Sequence, residues 1–406
     1  MTQSPAQGMI GIEPTRTFVG ACVLDAVSRL LAELVAIPSV NPMGRAIVGP
    51  EYLESRLTDY LADFFQNRNL GFRRDPILPG RENLLAEYHA PDSRRTLLFD
   101  VHQDTVPVDG MTIEPFGARI ADGKLYGRGA CDVKGGMAAM LLAFARLCVE
   151  RPRGSASVIL ALTVDEEFTH LGSSRLAQFK PNVDLAIVAE PTRLDLVTTH
   201  KGAIRWKIRA NGVACHSSTP HLGDNAIYRM AEVVSALRDH AAELAGSRPD
   251  PMLGPPSLSV GRIEGGQSVN IVPDWCEIEL DRRVIPGEEP DATIFRVADF
   301  LRNRLGSIEN LEFLPAWVKM PALQANVRSE DLDRMSRVIA DRTGSEPRRL
   351  GVPYGTDAGP LGEVGVPCVV FGPGDIAQAH TKDEWIDLDQ VRLAAELYYE
   401  MAVALG

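Results

Sequence analysis

Residues 156–164, ASVILALTV, make a near-continuous apolar run that ends directly on Asp165, Glu166 and Glu167. A strand that is apolar at nearly every position has both faces covered, the condition of a parallel sheet sandwiched between helices. Two further runs share this texture. Residues 185–189 (LAIVA) end at Glu190, and residues 367–371 (PCVVF) lead through Gly372, Pro373 and Gly374 to His380. A fourth, over 96–101, passes into His102, with Asp104 two positions on. Residues two apart on an extended chain share a side. His102 and Asp104 therefore sit together at a strand exit, where a metal-binding imidazole finds an acceptor for its second N–H. Such a pair alone is more often a surface polar pair than a ligand; the other three strand ends give it weight.

Helical spacing of apolar residues, Val23 and Leu24 among them, predicts helices over 21–37, 51–65, 137–148 and 388–405, the last capped by Asp387. Residues 1–17 read as a loose leader. The glycine-rich segment 123–129 reads as a loop, with Asp132 at the entrance of the helix that follows. From about residue 198 to 312 the texture changes. Residues 203–210 alternate Ile204, Trp206 and Ile208 against Arg205, Lys207 and Arg209, the mark of an antiparallel strand with one wet face. Further strands at 257–263, 267–272 and 275–282 and helices at 225–244 and 292–305 make this an α+β insert. The chain then divides into 1–197, 198–312 and 313–406, an α/β fold interrupted by a second module.

At 406 residues the chain is about right for two domains. Its net charge of −12 argues against nucleic acid or an anionic membrane as the main partner. No apolar stretch nears the ~20 residues that span a bilayer, and the N-terminus lacks the pattern of a secretion signal. The six cysteines are scattered without a Cys-x-x-Cys pair, which fits reduced thiols in a cytoplasm.

In open α/β sheets, ligands bind at the carboxyl edge of the strands. Here that edge receives two histidines and several carboxylates, donors that suit zinc, manganese or cobalt in a hydrolytic site. With His102 and His380 neutral, Asp132, Glu167, Glu190 and a bridging hydroxide balance two divalent cations. A single ion would leave a buried negative cluster. Glu166 is then left over as the base that deprotonates the bridging water.

These residues sit in recognisable motifs: His102-Gln103-Asp104-Thr105-Val106-Pro107, Leu125 to Asp132 with Lys134-Gly135-Gly136, Asp165-Glu166-Glu167, Glu190-Pro191-Thr192 and Ala379-His380. In the insert they are joined by His200-Lys201-Gly202, His216-Ser217-Ser218, Asn270 and Asp281-Arg282-Arg283. The chain thereby resembles the dizinc amidohydrolase/peptidase family that includes acetylornithine deacetylase, succinyl-diaminopimelate desuccinylase, aminoacylase and a glutamate-releasing carboxypeptidase. The likeness runs in order along nearly the whole chain. It implies a zinc-peptidase-like, mostly parallel sheet flanked by helices, and an insert of ferredoxin-like α+β type that serves as lid and dimerisation domain. It implies His102 and Glu190 on one zinc, Glu167 and His380 on the other, and Asp132 bridging, with a cis peptide between Asp132 and Val133. It further implies that Asp104 orients His102, that Glu166 is the general base and that Arg283 anchors a substrate carboxylate. His216 would reach into the neighbouring subunit's site, and Asn270 would bind substrate. One departure is Val101, where many relatives carry glycine.

The expected activity is removal of an acyl group from an N-acyl amino acid, the Glu190, Thr356 and Gly372 stretches leaning toward the deacetylase branch. A dipeptidase or carboxypeptidase of the same family is the alternative, and a non-catalytic binding protein on the same fold a remote one. The segment from Gly372 to Ala377 imitates a dinucleotide fingerprint but opens no clear helix. His89, His221 and His240 read as surface residues, His170 as a solvated loop histidine in preference to a neighbour of the site, and Cys131 and Cys215 as packing.

Overall fold

The computed structural model describes residues 18–406. The leader over 1–17 and the side chains of Val23 and Leu24 lie outside the described residues. An eight-stranded sheet forms the centre, in the order Phe72–Leu78, Arg81–Tyr88, Ser157–Thr163, Thr96–His102, Leu185–Val188, Cys368–Val370, Leu196–His200 and Arg349–Val352. The four middle strands of expected apolar texture, from Ser157 to Val370 in that order, run parallel. Antiparallel pairing is confined to the Arg81 side and to one contact between Val370 and Val197.

Alternation decides which layer each side chain joins. Leu97, Phe99 and Val101 pack with the helices Phe18–Val35, Gly135–Glu150 and Leu388–Ala404, while Leu98 faces Leu176, Ala358 and Leu361 on the other side. Each fully buried leucine or phenylalanine contributes about 1.5–3 kcal/mol relative to exposure, so two covered faces fix the strand register. Asp387 caps the last helix, accepting from the N–H groups of Asp389 and Gln390.

A five-stranded antiparallel sheet stands beside the first. Its strands are Ser257–Gly265, Trp275–Val284, Gly202–Asn211 and Leu311–Phe313, and Val318–Met320 also pairs with Gly202–Asn211. Helices Ala226–Ala245 and Pro290–Leu305 cover the face that carries Ile204, Trp206, Ile208 and Leu280. The opposite face sets Arg205 across from Asp281 and Ala203 across from Arg283.

Two expectations change. The strand expected over 267–272 shrinks to Ile271–Val272, paired with Cys215–His216, because Gly266 takes a φ of 73° and breaks the extended chain before it. The glycine-rich segment is not all loop: Lys124–Tyr126 joins Arg119–Ala121 and Trp385–Asp387 in a three-stranded sheet that holds the Asp132 turn against the C-terminal segment.

Candidate metal centre

Parallel strands deliver their ends to one edge, and there the sequence places its donors. His102 closes its own strand, Glu166 and Glu167 follow Thr163, Glu190 follows Val188, and His380 follows Val370 across a short loop. Asp132 arrives from a turn held by Glu384, whose buried carboxylate accepts from the N–H groups of Gly129, Cys131 and Asp132 and pairs with Arg128 at 2.7 Å. The Asp132–Val133 peptide is cis.

The two oxygens of Asp132 face different imidazoles. Oδ1 lies 3.2 Å from His102 Nε2, and Oδ2 lies 3.2 Å from His380 Nε2. His380 Nε2 also lies 3.1 Å from Glu167 Oε2, and His102 Nε2 lies 3.9 Å from Glu190 Oε1. Donor atoms of His102, Asp132 and Glu167 fall within 4.8 Å of one another, as do those of His102, Glu166 and Glu190. His380 is half exposed and opens to solvent; the others are buried or nearly so.

Buried charge shifts the titration of this cluster. Burial, with Glu190 nearby, pushes the Glu166 carboxyl well above its usual range; burial, with Asp132 nearby, does the same to Glu190. Burial works against a charged His380, yet Asp132 and Glu167 hold it up to about 11. His102 is likewise raised against burial by its bonds to Asp104 and Asp132. Four buried carboxylates crowded around two imidazoles are a donor set that two divalent cations would neutralise, so the residues fit a metal pair.

That fit predicts a pH-dependent response to metal. All four groups titrate higher in the folded protein than unfolded. Their stabilisation is complete below the unfolded value and is lost as pH rises through the folded one, for His380 between about 6.5 and about 11. Asp104, held down at about 2, acts with the opposite sign only in strong acid. Metal-free protein should therefore lose stability above neutrality, where metal, which needs deprotonated ligands, binds best. Thermal melts should show added zinc raising Tm more at about pH 8.5 than at about pH 6. An equal rise at both would contradict the assignment of these donors.

Three positions differ from expectation. His170 is not a solvated loop residue: it is buried, with Nδ1 3.1 Å from Asp357 and 3.7 Å from Glu166. His240 is half-buried, stacked on Phe300 at 4.3 Å, because its helix packs against Pro290–Leu305. Asp104 does more than orient a ring. His102 Nδ1 lies 3.0 Å from the Asp104 main-chain carbonyl and 3.6 Å from its carboxylate. That carboxylate accepts from the N–H groups of Glu166 and Glu167 at 3.0 and 3.1 Å and so holds the acidic turn in place.

Sequence reasoning missed the supports. Asn41 donates at 2.8 Å to both Asp104 and Asp165, and Arg81 bridges Glu54 and Asp165. Asp357 takes Thr163, Ser173 and His170. Only Asp357 carried a signal, in its Thr356-Asp357-Ala358 stretch. The site opens into a cavity of about 330 Å³ lined by donors from the first sheet and by Arg205, Arg283 and Met320 from the second. His216 and Asn270 are exposed, adjoin one another through the Ser217 N–H on the Asn270 carbonyl, and do not line this cavity.

The model of Peptidase family M20/M25/M40 matches residues 98–404. The acetylornithine deacetylase of Myxococcus xanthus is 33% identical, over 94% of this chain and 98% of that one. The acetylornithine deacetylase of Vibrio campbellii is 30% identical over 82% and 87% of the two chains. Among solved structures, an M20 family metallo-carboxypeptidase from Sulfolobus solfataricus superposes with a TM-score of 0.75 at 19% identity, covering 93% of this chain and 98% of that one. A dinuclear metal-binding M20 peptidase from Bacillus subtilis gives 0.70 at 16% identity, over 95% and 99%. An α/β fold with a carboxylate between two imidazoles at its strand ends suits metal-dependent hydrolysis, and the family match makes the class a metal-dependent amidohydrolase. The chain belongs to peptidase family M20/M25/M40 and is a hydrolase of amide bonds.

Proposed function

We propose that the protein removes the acyl group from an N-acylated amino acid in the cytoplasm, using two zinc ions. The reading rests on one observation, the Asp132 carboxylate with one oxygen toward each histidine. His102 and Glu190 would hold one ion, Glu167 and His380 the other, with Asp132 shared. When bound, such ions would supply Lewis acidity at the scissile carbonyl and lower the pKa of the attacking water. Glu166 lies within the cluster but outside the closest pairs, so it is free to take that water's proton and return it to the amine nitrogen as the C–N bond breaks. Arg283 offers its guanidinium to the α-carboxylate. The supporting observation for substrate is likeness to acetylornithine deacetylases over nearly the whole chain. Turnover of a panel of N-acetyl amino acids with zinc, abolished by a chelator, is expected; hydrolysis of dipeptides alone would assign a peptidase instead.

Residues 198–312 would act as lid and dimerisation domain. His216 is exposed and sits outside its own chain's cavity, which suits a donor delivered to the active site of a second copy. There it would stabilise the developing oxyanion. His216→Ala should keep its metal and lower kcat by about 10²–10³-fold. Mixing it with Glu166→Ala protein should restore part of the activity, since one site of the hybrid dimer is complete. No recovery in a mixture shown to exchange subunits would mean that the histidine acts in its own subunit or not at all.

A further inference from the structure

The cavity's second wall carries, beside Arg283, a second arginine to which the proposed reaction gives no role. Arg205 and Arg283 lie on neighbouring antiparallel strands, and Asp281 sits between them. Arg205 Nε donates to one Asp281 oxygen at 2.8 Å and Arg283 Nε to the other at 2.7 Å. One carboxylate thus fixes two guanidinium planes by their Nε edges. The terminal nitrogens of both take no hydrogen-bond partner among the described residues. Both arginines line the cavity, each side chain about 30% exposed, so the forks are accessible to a ligand. Two cations against one anion leave this wall net positive.

Beside them, outside the donor cluster, the lining is mostly apolar or aromatic, with Phe168, Val318, Met320, Tyr354 and Ile376 next to His170. Among the described lining residues every carboxylate belongs to the donor cluster, namely Asp132, Glu166, Glu167 and Glu190. Nothing outside that cluster offers a counter-charge to an ammonium group.

We propose that this pocket takes N-acyl amino acids with uncharged, apolar side chains, Arg205 and Arg283 sharing the α-carboxylate, and that it rejects a cationic side chain such as that of ornithine. The proposal rests on the deacylase reading and narrows its substrate class. A carboxylate held by two pre-set forks gains charge-assisted hydrogen bonds at little cost in side-chain ordering. With the α-carboxylate bound, two guanidinium groups face two carboxylates, so neither an ω-ammonium nor a second carboxylate finds a counter-charge outside the donor cluster. Either would be desolvated against apolar side chains, whereas a methionine or leucine side chain gains contact area.

Two measurements test this separately from the reaction itself. Calorimetry on the Glu166→Ala protein should show N-acetyl-L-methionine binding at least about tenfold tighter than N-acetyl-L-ornithine or N-acetyl-L-glutamate. On the zinc enzyme, kcat/KM should rank in the same order. Arg205→Gln should raise KM for N-acetyl-L-methionine about tenfold with kcat little changed, and should not raise KM for its carboxamide. Equal or tighter binding of the ornithine or glutamate derivative overturns the proposal, as does an Arg205→Gln enzyme with unaltered KM for the free acid. If the binding order holds but no member of the panel is hydrolysed, the pocket assignment stands and the deacylase reading fails.

Discussion

Replacing Asp132 by alanine should strip the centre of bound metal and reduce turnover by more than about 10⁴-fold, beyond the range of a lost acid–base group alone. Each carboxylate oxygen faces one imidazole at 3.2 Å, so in the proposed centre the single substitution would remove a ligand from both ions at once. The fold should survive. The turn that carries Asp132 is held by Glu384 on the main-chain N–H groups, which alanine retains. Metal analysis after dialysis, beside a thermal melt, reads both claims. A variant that keeps two ions and yet is inactive would make Asp132 a reacting group rather than a bridge.

Glu166→Ala should behave differently, keeping its metal while losing about 10²–10⁴-fold in kcat. The residue is buried with its carboxyl raised by burial and by Glu190, yet His380 and His102 make their closest carboxylate contacts to Asp132 and Glu167 rather than to it. Its neighbour supplies the control: Glu167→Ala removes the partner of His380 at 3.1 Å and should cost metal as well as rate. Loss of metal from the Glu166 variant and retention in the Glu167 variant would exchange the two roles.

The strand ends were legible in the sequence because each combines two independent signals, an apolar run that only a doubly covered strand tolerates and a metal-type donor at its exit. His102, Glu166, Glu190 and His380 were all placed this way. The sheet's outer strands were not legible. Phe72–Leu78 carries Arg73, Arg74, Asp75 and Pro76 on an exposed edge, and Arg349–Val352 is four residues long. Neither length nor pattern separates such segments from loop. Helix Ser329–Thr343 was hidden by its composition, since it buries Asp331 and Ser336 beside Met335 and Ile339. His170 was misjudged for a related reason. Its burial depends on Asp357, 187 positions away, and no local pattern reports a partner at that distance. The same holds for Asn41 and Arg81, whose contacts to Asp165 form only once the sheet is assembled.

The most direct test is the metal content of the purified protein measured against turnover as zinc is added back to chelated enzyme. Two ions per chain, with hydrolysis of an N-acetyl amino acid appearing as the site fills and Asp132→Ala taking up neither ion, is the predicted result. Full turnover with one ion per chain, or undiminished turnover in the metal-free protein, would contradict the two-metal centre on which the mechanism stands.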